Sequence, residues 1–193
     1  MNSLAHHFLT MAYNNAWSNH RLLKACAQLS QAEFAAKRVS FFPSLKATLN
    51  HNLTVDWYYV DAMERAVQGR EVNMAARKFF DPEEPFDACA DIWKEQKAVD
   101  MRLVALCKQA VDVDLEQPVP IARSAGIKAE TLTRMLAHLF EHQIHHRGQA
   151  HAMLAGTDVA PPQLDEFFCE GDLKFREPDF AELGFEEAKI WAK

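Results

Sequence analysis

Apolar residues recur at spacings of three and four along four long stretches of the chain, the period of a helix with one buried face. The first stretch, residues 3–29, carries Leu4, Phe8, Met11, Ala12, Leu22, Leu23, Cys26 and Leu29. The second runs from Ser44 to Gln68 with Leu45, Leu49, Leu53, Trp57, Val60 and Met63, and Gly69 stops it. The third, from Phe86 to Ala110, repeats Cys89, Ile92, Trp93, Val99, Leu103, Leu106 and Cys107. The fourth, from Glu130 to Ala155, carries Leu132, Met135, Leu136, Leu139, Phe140, Ile144, Met153 and Leu154, with Gly156 as its C-terminal stop. Ser30 heads a short extra turn, with Glu33 at the reciprocal capping position. Residues 69–85 read as a charged loop broken by Asp81-Pro82 and Glu84-Pro85, and residues 111–129 as irregular or weakly extended. After Gly156, the Pro161-Pro162 pair, Leu164, Phe167 and Phe168 suggest a segment that wraps the body, followed by a short last helix over residues 179–191. Four long striped helices predict an all-α fold, a four-helix bundle, as one domain over residues 1–193.

Composition narrows the function classes. Hydrophobic residues make up 49% and charged residues 25%, the balance of an ordinary globular protein. A net charge of -6, without a Lys/Arg run, argues against a nucleic-acid partner. No window approaches a membrane span, and the first residues lack the basic-then-apolar pattern of a secretory signal. Cys26, Cys89, Cys107 and Cys169 are scattered, with no C-x-x-C pair, which fits a reducing compartment. The expectation is a cytoplasmic protein with neither a membrane nor a nucleic-acid partner.

The chemistry concentrates in the fourth helix. Five of the nine histidines fall between His138 and His151. On a helix, His138, His142 and His146 form one row, flanked by His145. Imidazoles at i and i+4 reach a single metal ion, as in helical His-x-x-x-His zinc sites. For His138 or His151 alone, a hydrogen-bonded core residue or a partner of the helix dipole is the simpler account. In a bundle the remaining ligand comes from a facing helix, and His51 is the one histidine on the second helix. A centre of His51, His142 and His146 leaves coordination positions open, as catalytic sites do. His145 is an alternative to His146, since i and i+3 also share a face. Asn50 and Asp56 are candidates to orient an imidazole, although Asp56 also reads as a solvated charge. Arg147 suits either an anionic substrate near the metal or an ion pair with Glu141. Gly148, costly inside a helix, suggests close helix-helix approach. Tyr13, Trp17 and Trp57 are candidate walls of a substrate cleft.

Together these motifs resemble the DinB-like family of metal-binding four-helix bundles. Tyr13-Asn14-x-x-Trp17-x-Asn19 with Leu22-Leu23 resembles the family's first helix, and Leu49-Asn50-His51 with Asp56 and Trp57 its second. The stretch from His138 through His142, His145, His146, Arg147 and Gly148 to Gln149 resembles its signature, and Pro161-Pro162 with Leu164-Asp165 its tail. Glu141 departs from the pattern, where Asn is commoner. The resemblance implies an up-down-down-up bundle, a divalent metal on His51, His142 and His146, and often a homodimer. Related proteins include thiol-dependent S-transferases and an isomerase, so a low-molecular-weight thiol is the implied cosubstrate of a small-molecule substrate. Three imidazoles suit Zn, Ni and Fe alike. Metal-activated water, hence hydrolysis, is the competing chemistry. A non-catalytic metal-binding stress-response or scaffold protein is the alternative from a different class.

Overall fold

The computed structural model describes residues 3–192. Four long helices form its body: α1 (Leu4–Cys26), α3 (Leu45–Val67), α4 (Cys89–Gln109) and α5 (Leu132–Leu154). A short α2 (Gln31–Ala35) precedes α3, and its Ser30 cap accepts from the Glu33 backbone N–H. The side chains of Ser3, Ser44 and Thr131 likewise accept from backbone N–H groups of the first turns of α1, α3 and α5, fixing where each long helix begins.

The direction of each helix follows from the residues it meets. Along α1 and α4, Ala5 bonds Asp112, Asn15 bonds Asp100, and Cys89 meets the Leu23 carbonyl, so the two run antiparallel. Along α3 and α4, Asn50 bonds Phe86, Asp56 bonds Gln96, and Glu64 pairs with Arg102, so these run parallel. His51 faces His142 while Tyr59 faces His138, making α3 and α5 antiparallel. Phe8 stacks on Phe140 and Asn15 bonds Arg147, making α1 and α5 parallel. The result is an up-down-down-up bundle, with α1 diagonal to α3 and one continuous apolar core.

Two stretches differ from the expectation. Residues 118–131 form a hairpin, β1 (Pro118–Arg123) and β2 (Gly126–Thr131), with Arg123 opposite Gly126. Gly126 sits at φ +103°, a conformation that L side chains rarely adopt, at the end of the two-residue turn. Two prolines in β1 hide the strand pattern, yet Pro118 and Pro120 are two residues apart, so both lie on one edge of the ribbon. α5 accordingly starts at Leu132, not Glu130. The end of the chain holds two helices rather than one: α6 (Leu173–Leu183), which runs through Pro178, and α7 (Glu187–Trp191). Gly184, left-handed at φ +72°, separates them.

The tail does wrap the body. Phe167 is fully buried against Trp17, and Arg176, 1% exposed, bonds Glu187 and the carbonyls of Glu166 and Cys169. Arg21 of α1 reaches Asp179, Glu166 and the Phe175 carbonyl. Among the described residues no helix is long and apolar enough to cross a membrane.

Candidate metal centre

His51 lies two turns into α3, and His142 and His146 one turn apart on α5, where the two antiparallel helices face each other. One ring nitrogen from each of the three lies within 4.8 Å of the others. The Nε2 atoms of His51 and His142 are 3.1 Å apart. Two nitrogens each about 2.0–2.1 Å from a tetrahedral ion stand about 3.3 Å apart, so the pair already has the spacing of two ligands. The same spacing suits a hydrogen bond between two neutral rings. The third ring adds another donor to the pair: His146 lies 4.5 Å from His142 and 4.8 Å from His51, centroid to centroid.

A hydrogen-bond chain sets the orientation of His146. Its Nδ1–H donates to Gln149 Oε1 at 2.9 Å, and Gln149 Nε2 donates to His145 Nε2 at 3.0 Å. With Nδ1 protonated, the lone pair of His146 is on Nε2. On the other side, the Phe42 ring lies 4.3 Å from His51 and 5.4 Å from His146, with the exposed Phe41 beside it. These phenylalanines precede α3 and lay an apolar wall over the imidazoles.

Burial keeps the rings neutral. It lowers His51 to about 4, with the neighbouring His146 adding to the effect. It lowers His142 to about 3, reinforced by His146, His51, His138 and His145. His146 is lowered for the same reason, against the pull of its bond to Gln149. Neutral imidazoles have free lone pairs, the form that binds metal. Among the described residues the group is all imidazole, with no carboxylate or thiolate in it. Three neutral donors fit a divalent ion of the Zn, Ni or Fe type and leave it further coordination positions.

The other candidates fall elsewhere. His145 is exposed and meets Gln149, and it is His146 that joins the group. His138 is also exposed, with its ring against Tyr59. Asn50 holds the start of the third helical stretch, bonding both the N–H and the carbonyl of Phe86, and orients no imidazole. Asp56 is neither solvated nor beside a histidine; it is 2% exposed and accepts from Gln96 at 2.6 Å. Arg147 pairs with neither Glu141 nor the centre but turns into the core, donating to Asn15 and Asn19. Gly148 is not a close-contact glycine, since a Cβ there would meet nothing within 4 Å. Tyr13 packs on Phe185, Trp17 on Phe167, and Trp57 on Phe79 and Phe86, so none of the three walls the centre. The physical reasons are positional. α1 stands diagonal to α3, and six residues separate His51 from Trp57, about 240° around the helix.

Phe41, Phe42 and Gln149 are the contributors that sequence reasoning did not assign to the centre. The signal for Gln149 was its spacing, three after His146 and four after His145. The signal for the phenylalanines was an aromatic pair just ahead of a helix that carries a ligand.

A second grouping, His20 with Asp179 and Glu182, also has metal-ligand spacing. Its carboxylates are already matched by Arg21 and Lys24, so it reads as an ion-pair network fastening α6 to α1. Burial raises Cys26, Cys89 and Cys107, the last two to about 12, so these thiols stay protonated and unreactive.

Comparison with known proteins places this geometry in context. A family model described as "DinB family" matches residues 1–173. The protein named "Protein DinB" of Bacillus subtilis (strain 168) is 27% identical over 159 residues, covering 76% of this chain and 85% of that protein.

Proposed function

The chain belongs to the DinB family, and on that premise we propose that it binds one divalent metal ion through His51, His142 and His146 and uses it to activate a small thiol or water. The observation that carries this reading is the convergence of three neutral ring nitrogens from two helices, with no anionic ligand among them. When bound, a divalent ion held by neutral ligands keeps its full charge and lowers the pKa of a coordinated thiol or water. The residues of the chain supply the rest. Gln149 fixes the tautomer of His146 through the Nδ1–H bond. Phe41 and Phe42 keep one side of the imidazoles dry and offer an apolar surface to a substrate's carbon skeleton. Burial keeps Cys26, Cys89 and Cys107 protonated, so none of these three supplies a reacting thiolate. Thiol transfer or isomerisation is the chemistry that the family resemblance implies, and hydrolysis through a metal-activated water competes with it at the same centre.

Cobalt-substituted protein tests the proposal directly. Adding a low-molecular-weight thiol near neutral pH is expected to produce a sulfur-to-cobalt charge-transfer band. The band is expected to vanish in His146→Ala. A cobalt protein that shows neither that band nor an exchangeable water would have a closed site, and the non-catalytic metal-binding reading would replace this one.

A further inference from the structure

The far side of α5 carries a feature that the histidine centre does not use. At about 100° per residue, Ile144 and Gly148 point away from His142 and His146, and Arg147 is turned about 100° from His146. There the tail around Leu164 and Phe168 runs alongside α5 and encloses a groove of about 510 Å³. Ile144 and Phe168 are each 46% exposed, so the walls include uncovered apolar surface.

Arg147 lines this groove although it is only 5% exposed. The guanidinium divides its donors. Nη1 points inward, to Asn15 Oδ1 at 2.7 Å and Asn19 Oδ1 at 3.0 Å. Nε and Nη2 have no hydrogen-bond partner among the described residues, and the residue lines the groove. A guanidinium keeps its charge at neutral pH. The core thus holds one edge of a rigid cation that lines the groove and leaves its remaining donors unbonded. Such donors suit a carboxylate, which accepts two parallel N–H bonds. Water alone would satisfy the guanidinium but would leave Ile144 and Phe168 uncovered. The exposed Asp165 on the rim disfavours a second negative charge. Gly148 adds no side chain to the space, and a Cβ there would meet nothing within 4 Å.

We propose that this groove is a binding site, separate from the histidine centre, for a small monocarboxylate with an apolar body. The carboxylate meets the free edge of Arg147, and the carbon skeleton lies over Ile144 and Phe168.

The test is a titration of the metal-loaded protein with 4-phenylbutanoate, followed by NMR, with the neutral 4-phenylbutanamide as control. The carboxylate is expected to shift the resonances of Ile144 and Gly148, and the amide to bind about tenfold more weakly, the scale of losing a charge-assisted bond. Arg147→Met also breaks the core network, so Gly148→Leu is the deciding variant. It fills the groove from an open position, and is expected to abolish the titration while metal content stays at the parent value. His142→Ala is expected to lose metal yet bind the carboxylate as the parent does. No binding, equal binding of the amide, unchanged binding in Gly148→Leu, or loss of binding in His142→Ala would each overturn the proposal. The last would place the carboxylate at the histidine centre.

Discussion

Gln149 decides which nitrogen His146 presents, because its Oε1 accepts the hydrogen bond of Nδ1–H. Gln149→Ala is expected to lower metal affinity by about tenfold, the lower end of the usual effect of removing a partner behind a ligand. Gln149→Glu, which still accepts from Nδ1–H, is expected to restore most of it. Competition against a chromophoric chelator reads both, and an unchanged affinity in Gln149→Ala would remove the residue from the account. At this scale the three histidines were legible, because i, i+4 spacing and a facing helix place them with little ambiguity. Arg147 was not. It sits beside His146 in sequence; helix geometry turns it about 100° from that ring, but only the structure shows that this direction is the core. Asp56 misled for the same reason. A lone carboxylate on a helix reads the same whether solvated or buried.

All four long helices contribute to one buried polar network: Asn15 and Asn19 from α1, Asp56 from α3, Gln96 and Asp100 from α4, and Arg147 from α5. Burial pushes both carboxyls up, and Asp100 pushes Asp56 further. A carboxyl raised in the folded state holds a proton that the unfolded chain has released. Its favourable contribution is complete below the ordinary value of 3.8 and is lost as pH rises through the folded value, about 8 for Asp56. The metal-free protein should therefore be less stable at pH 9 than at pH 7. Asp56→Asn is expected to reduce that difference, by on the order of 1 kcal/mol. Urea unfolding at the two pH values measures it, and an equal or steeper loss in the variant would contradict the assignment. Among the elements, the long helices were readable because their apolar stripes repeat over several turns. The hairpin was not, because β2 is exposed along nearly its whole length and shows no alternation. The last helix, expected from residue 179, starts instead at Leu173: α6 runs through Pro178, and its Arg176 joins the tail's hydrogen bonds on the inner side.

At the scale of the whole molecule, the order of the bundle was implied by family resemblance rather than by periodicity, which gives stripes but no directions. The contacts between α3 and α5 make those directions matter, since antiparallel packing brings the second turn of α3 to the middle of α5 and closes the histidine group. We also propose that the chain forms a homodimer, as the resemblance implies. Trp17 on α1 is fully buried within one chain and offers no pairing surface. Sedimentation equilibrium at micromolar concentration is expected to give twice the chain mass of 22.0 kDa, and a monomeric mass would refute the dimer. The most direct test of the whole account is elemental analysis of protein purified without a histidine tag, alongside His51→Ala, His142→Ala and His146→Ala. The account predicts about one divalent ion per chain in the parent and a marked loss in each variant, with helical content preserved. Full metal content in both His51→Ala and His142→Ala would contradict it.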